Sequence, residues 1–136
     1  IHMDVTFDDM TYIGNHQQIY TLLNNVIGNA IKYNKDHGSV SVRIEELSEA
    51  MKIVVKDSGI GIPLADQSRV FERFYRVDKG RSRQRGGTGL GLAIVKHIVS
   101  HYKGTIHLMS ELDKGTTIEI ILPQQTITSD ESFPQG

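Results

Sequence analysis

Gly86-Gly87-Thr88-Gly89-Leu90-Gly91-Leu92 places four glycines within six residues, and an apolar helical pattern begins directly behind them. Glycine reaches backbone conformations with positive φ and lets a ligand come close to the chain. A helix start just beyond offers unpaired N–H groups and a partial positive charge, which suit a phosphate. The same seven residues read equally well as a tight turn into a helix. The flanking chain has to separate these two readings.

Behind the glycines, Leu92 to Tyr102 has helical periodicity, with Leu92, Val95, Val99 and Tyr102 on one face and Ile94 and Ile98 widening it. Lys103-Gly104 closes that helix with a cation and a C′ glycine. Ahead of the glycines, Val77 to Arg85 has no apolar anchor after Val77, so it buries too little to order itself. Counted from Arg76, it carries five cations (Arg76, Lys79, Arg81, Arg83, Arg85) against one acid, Asp78. A cationic loop between aromatics and a glycine hinge reads as a lid over an anionic ligand. The alternative is a basic loop without a role. On the lid reading, Val77 to Gly87 is mobile without nucleotide. Phe71-Glu72-Arg73-Phe74-Tyr75-Arg76 precedes it, and Phe71 and Phe74 also read as core.

From Gln17 to Tyr33, the apolar positions Ile19, Leu22, Leu23, Val26, Ile27, Ala30 and Ile31 follow the spacing of a helix with one buried face. Gly14-Asn15 reads as a stop followed by an N-cap. At about 100° per residue, Asn25, Asn29 and Lys32 fall within an arc of roughly 60°, away from the apolar centre. Two carboxamides and an ammonium therefore leave one rigid element in the same direction. A solvated face would also explain them. Asparagine is a poor helix former, however, and lysine or glutamate would solvate that face at lower cost.

Val5–Asp8 and Thr11–Ile13 read as short strands around a turn at Asp8-Asp9. Asn34-Lys35-Asp36-His37-Gly38 is a turn cluster. Val40, Val42 and Ile44 alternate with Ser41 and Arg43 as a half-buried strand. After a break at Glu45–Ala50, Met51–Lys56 makes its antiparallel partner. That strand runs into Asp57-Ser58-Gly59-Ile60-Gly61-Ile62-Pro63, leaving a carboxylate at the rim of the sheet. A carboxylate only accepts hydrogen bonds, so it suits an exocyclic amino group such as adenine's. The plainer reading is a strand-to-helix turn with Asp57 as a cap. Leu64–Phe71 reads as a short helix. Thr105–Ser110 and Thr116–Leu122 are final strands around an Asp113-Lys114-Gly115 turn.

With 136 residues, 38% hydrophobic and 23% charged, the chain suits one globular domain. A formal net charge of −1 argues against nucleic acid or an anionic membrane as a bulk partner. No cysteine is present, which removes disulfides and thiolate metal sites and fits a reducing compartment. No apolar run approaches the roughly 20 residues that span a bilayer. His97 and His101 stand four apart on one helix without a third ligand, so they read as surface residues. Ile1-His2-Met3 resembles a cloning remnant, residues 4–123 read as the domain, and 124–136 as a polar, disordered tail.

A carboxylate for an amino group, a glycine-rich helix start, a cationic lid and an amide-lined helix together describe a nucleoside triphosphate site. It is not of the P-loop kind, since Gly-x4-Gly-Lys-Ser/Thr is absent. It also lacks the His-Arg-Asp and Asp-Phe-Gly of protein kinases. Asn25 and Asn29 offer neutral oxygens to Mg²⁺, a hard cation.

From Val5 to Pro123 the sequence resembles the catalytic, ATP-binding domain of bacterial sensor histidine kinases, within the group that includes type II topoisomerases, MutL and Hsp90-type chaperones. Asn25-Val26-Ile27-Gly28-Asn29-Ala30-Ile31-Lys32-Tyr33 is similar to the N box, and Asp57-Ser58-Gly59-Ile60-Gly61 to the G1 box. Phe71 to Arg76 resembles the F box, Gly87 to Leu92 the G2 box, and Gly115-Thr116-Thr117 a lesser final glycine motif. Upstream, the family's Gly-Asp and Asp-Arg pattern appears as Gly14-Asn15 and Gln17-Gln18.

The resemblance implies an α/β sandwich of the Bergerat type: a mixed sheet of about five strands with about three helices on one face. It implies that Asp57 binds the adenine amino group, that Asn29 with Asn25 coordinates Mg²⁺, and that Lys32 contacts phosphate. Tyr33 would lie near the nucleotide, and Arg76 would reach the γ-phosphate. Gly87, Gly89 and Gly91 would give backbone donors to the phosphates. Gly59, Gly61, Ile62, Phe71, Phe74, Tyr75, Thr88, Leu90, Leu92 and Thr117 complete the implied nucleotide shell. In ATP-hydrolysing relatives the position of Asn25 holds a glutamate that activates water. A carboxamide is no general base, which favours phosphoryl transfer over dedicated hydrolysis.

No histidine here has the context of the family's phosphate acceptor, so the implied acceptor is a separate helical-hairpin domain. A response regulator acts downstream. The implied parent is a homodimer anchored in the bacterial membrane, and this fragment a cytoplasmic monomer. An ATPase or chaperone-type member is the runner-up. A serine-phosphorylating anti-sigma kinase, or a module that only binds ATP, is a further alternative.

Overall fold

A computed structural model describes residues 1–72 and 91–125. In chain order the elements are β1 (His2–Phe7), α1 (His16–Lys32), β2 (Ser39–Leu47), β3 (Ala50–Asp57), α2 (Leu64–Gln67), α3 (Gly91–His101), β4 (Thr105–Glu111) and β5 (Gly115–Pro123). The five strands form one sheet in the order β1-β2-β3-β5-β4. β1 runs parallel to β2, as a crossover through α1 requires, and every other pair is antiparallel. This is the mixed five-stranded α/β architecture expected from the sequence.

Alternation along the strands sends one set of side chains toward α1 and α3. Val40, Val42, Met51, Ile53, Val55, Ile118, Ile120 and Leu122 are buried there against Leu22, Val26 and Ala30 of α1 and against Val95, Ile98 and Val99 of α3. Burying each such aliphatic side chain contributes about 1.5–3 kcal/mol. The opposite face of the sheet is polar and partly open, with Lys52 and Glu119 paired across it at 3.5 Å.

The N-cap of α1 is Asn15, whose side chain accepts the Gln18 N–H at 2.9 Å, as anticipated. Two apolar positions expected inside are exposed: Ile31 at the end of α1 and Ile94 on α3. The contact of α1 follows the row Leu22, Val26, Ala30, and Ile31 lies roughly 140° around the helix from that row.

Four local expectations differ from the structure, one being the helix read over Leu64–Phe71, which ends at Gln67 and continues as turns. One strand, not two, forms at the N-terminus, and it includes His2 and Met3. Thr11–Ile13 forms no strand and lies outside the sheet. Tyr12 instead packs on the core, with its hydroxyl donating to the Pro123 carbonyl at 2.7 Å. β2 and β3 are longer than expected because their turn is tight, with Glu49 at φ 62°. Helix α3 ends with Lys103, not Gly104, in the left-handed region at φ 60°. The Lys103 N–H donates to Ser100 O and the Gly104 N–H to Val99 O, the paired bonds of a Schellman ending. Gly104 sits where a side chain would collide with the Ile121 carbonyl.

Gln124 and Gln125, read as tail, are docked. The Gln124 N–H donates to Glu49 O at 2.8 Å, and Gln125 Nε2 donates to Pro123 O at 2.8 Å. The remainder of the expected tail, 126–136, lies outside the described residues. No helix among the described residues is long and apolar enough to cross a membrane.

Candidate functional site

Asp57 ends β3 on the helix-facing side of the sheet, directly opposite Thr116 of β5. One carboxylate oxygen, Oδ1, accepts the Gly59 N–H at 2.8 Å and the Thr116 N–H at 3.2 Å. These two bonds fix the carboxylate plane. Burial pushes the Asp57 carboxyl above its usual range, and the two amides oppose that rise. An acceptor held rigid and partly desolvated is what recognition of an amino group needs.

The loop after Asp57 is pinned on both sides. Toward α1, the Ile60 N–H donates to the Tyr33 carbonyl at 3.1 Å. Toward the β4–β5 hairpin, the Ile62 N–H donates to Ser110 Oγ at 2.8 Å, and the Asp113 N–H donates to Ile60 O at 2.9 Å. Gly61 (φ 76°) and Gly115 (φ 124°) take backbone conformations that L side chains resist, and each lies against a carbonyl, of Glu111 and of Asp57 respectively. The glycines anticipated as ligand approaches therefore also serve the close passage of chain on chain.

α1 brings Asn25, Asn29 and Lys32 to its C-terminal half, each partly buried. Asn25 Nδ2 donates to the Thr21 carbonyl one turn back at 2.7 Å. That bond commits the amide end to the helix and leaves Oδ1 as the end available to a ligand. A neutral oxygen presented this way, with Asn29 one turn on along the same face, fits a hard divalent cation. Among the described residues no cluster of three or more His, Asp or Glu offers a rival metal site.

Other anticipated residues are placed less directly. Leu92 is partly buried against the core, and Gly91 opens α3. Phe71 is half-buried in the turns after α2. Thr117 is separated from the group: it pairs with Lys56 and Met109 on the open face of the sheet, one residue past Thr116. Strand alternation makes Thr116, not Thr117, the neighbour of Asp57. Phe74, Tyr75, Arg76, Gly87, Thr88, Gly89 and Leu90, with the expected lid, lie outside the described residues.

The sequence reading missed Ser110. Its hydroxyl meets Ile62 N, Gly115 O at 3.0 Å and Thr116 Oγ1 at 2.8 Å, and its carbonyl accepts from Gln67 Nε2 at 3.1 Å. A lone serine in a strand carries no local signal of such a role.

The family described as histidine kinase-, DNA gyrase B- and HSP90-like ATPases matches residues 14–126. The sensor histidine kinase WalK of Bacillus subtilis is 48% identical over 116 residues, covering 84% of this chain and 19% of that protein. The sensor-like histidine kinase SenX3 of Mycolicibacterium smegmatis is 45% identical over 112 residues, covering 82% of this chain and 29% of that protein. The chain thus spans less than a third of the length of these relatives. Among solved structures, the mycobacterial sensor histidine kinase MprB superposes with a TM-score of 0.78 at 32% identity, covering 93% of this chain and 83% of that one. The mixed five-stranded sheet agrees with these likenesses, and the chain belongs to the histidine kinase-, DNA gyrase B- and HSP90-like ATPases, on their sensor histidine kinase branch.

Proposed function

We propose that the chain binds Mg-ATP between Asp57 and the polar face of α1 and transfers the γ-phosphoryl group to a histidine on a separate helical-hairpin domain. The observation that carries this reading is the fixed, partly desolvated Asp57 carboxylate beside a helix that presents Asn25, Asn29 and Lys32. Asp57 accepts from the adenine amino group. Asn29 and Asn25 hold Mg²⁺ by their oxygens, and Lys32 meets phosphate. Bound Mg²⁺ would neutralise charge on the β- and γ-phosphates. Arg76 and Gly87 to Gly91 are assigned to the phosphate end from the motif resemblance alone.

Phosphoryl transfer asks the protein mainly for positioning and charge stabilisation. The acceptor imidazole brings its own lone pair on a neutral ring nitrogen. A general base is therefore dispensable, which agrees with a carboxamide at position 25. The downstream partner on this reading is a response regulator, and the parent is a membrane-anchored homodimer.

The test adds a separately made phosphoacceptor domain to this chain with Mg²⁺ and [γ-³²P]ATP. The expected result is label on the acceptor histidine, lost on acid treatment and retained in base. Sound ATP binding without any labelling would overturn the kinase reading in favour of a module that only binds nucleotide.

A further inference from the structure

Asn34 is the buried polar side chain of the described residues, 6% exposed. It lies just past α1, between the helix that carries Asn25, Asn29 and Lys32 and the loop that follows Asp57. Both polar ends of its side chain are engaged. Nδ2 donates to Ser39 O at 2.9 Å, and Oδ1 accepts the Lys35 N–H at 2.8 Å and the Ser58 hydroxyl at 3.2 Å. Ser58 Oγ in turn accepts the Ser39 N–H at 2.8 Å, and the Ser58 N–H donates to Ser39 O at 3.1 Å. One carboxamide thus joins the end of α1, the start of β2 and the residue after Asp57. The junction is tight: a side chain at Gly59 would collide with the Tyr33 carbonyl and press on Asn34.

We propose that Asn34 is a positioning residue of the nucleotide site: through Ser58 and Ser39 it sets the separation between Asp57 and the Asn25–Asn29–Lys32 face of α1. The inference rests on the nucleotide assignment above. A ligand that spans both elements gains its full affinity only when the two ends are met together. A ligand that reaches Asp57 alone is indifferent to the separation. A purely structural residue would weaken both ligands alike or neither. A positioning residue weakens only the spanning one.

The experiment titrates wild type, Asn34→Ala, Asn34→Asp, Ser58→Ala and Ser58→Thr with two probes, each well below the variant's melting temperature. Adenosine is followed by NMR chemical shifts and Mg·AMP-PNP by calorimetry. Losing one or two of these buried hydrogen bonds is expected to cut Mg·AMP-PNP affinity by about five- to tenfold in Asn34→Ala and Ser58→Ala. Adenosine affinity should stay within about twofold by the same reasoning, since no bond to Asp57 is lost. Asn34→Asp keeps the acceptor but loses the donor to Ser39, so it should also lose the Mg·AMP-PNP gain. Ser58→Thr retains the hydroxyl and should recover it. Should the Asn34 variants not fold, the Ser58 pair decides the matter. Equal losses for both probes, or wild-type affinity for Mg·AMP-PNP in Ser58→Ala, overturn the inference alone. A wild-type chain that binds neither probe overturns the nucleotide assignment and this inference with it.

Discussion

Asp57 faces two opposed demands. Burial raises its carboxyl in the folded chain, so the folded state holds that proton more tightly than the unfolded state does. The ionised carboxylate therefore costs stability above the raised value. That cost is relieved as pH falls from there toward the ordinary carboxylate range. Recognition of an amino group needs the ionised, acceptor-only form. Asp57→Asn keeps an oxygen for the Gly59 and Thr116 amides while removing the charge. We expect its melting temperature at neutral pH to match or exceed that of the wild type. Its ATP affinity should fall by about ten- to 100-fold, the scale of a hydrogen bond to a charged group. Wild-type affinity should decline as pH drops through the raised carboxyl value, and the variant should lack that component. Calorimetric titration at several pH values reads both effects; unchanged affinity in Asp57→Asn would remove adenine from this position.

Helices α1 and α3 share the core and are also tied by a single phenol. The Tyr102 hydroxyl accepts the Asn15 N–H at 2.8 Å and donates to Gln18 Oε1 at 2.8 Å. It ties the end of α3 to the N-cap of α1, while the Tyr12 ring packs edge-on against Tyr102. The helix that starts at Gly91 is thereby held against the helix that carries the asparagines. Tyr102→Phe preserves the ring and removes both bonds. We expect a loss of about 1–2 kcal/mol in urea unfolding, because the Asn15 amide loses its partner. Since the bond lies at the far end of α1 from Asn29, Mg-ATP affinity should change little below the unfolding range.

Across the whole molecule, the proposed site draws on α1, the end of β3 and the Gly91 start of α3, three segments distant in sequence. A ligand gripping all three binds only the folded chain, so it should raise the melting temperature. At about 100 times its dissociation constant a ligand adds about 2.7 kcal/mol. We expect the ATP-induced shift in thermal melting to be larger with Mg²⁺ than with EDTA. In Asn29→Ala the two shifts should coincide. A Mg²⁺ increment that survives in both Asn29→Ala and Asn25→Ala would place the metal elsewhere. Because Asn25 is no general base, the isolated chain should release phosphate from ATP only slowly, as a phosphate-release assay would measure.

The sequence alone determined what depends on near neighbours. Apolar spacing set α1, α3 and the alternating strands, because each reflects a period of one element. Asn15 as a cap was legible because the cap and its acceptor bond span three residues. The Asp57 and Asn25–Asn29 groups were legible because their chemistry is written in short motifs. Only the tertiary structure decided which distant faces meet. It paired β1 with β2, it packed Tyr12 on the core where a strand was expected, and it put Lys103 rather than Gly104 in the left-handed position. It brought Thr116 rather than Thr117 to Asp57, and it gave Asn34, Ser58 and Ser110 their hydrogen-bond partners. Apart from the Lys35 N–H beside Asn34, their partners lie from five to more than 40 residues away. Hydrogen bonds over such separations follow from how the sheet and helices pack, and no local pattern encodes them.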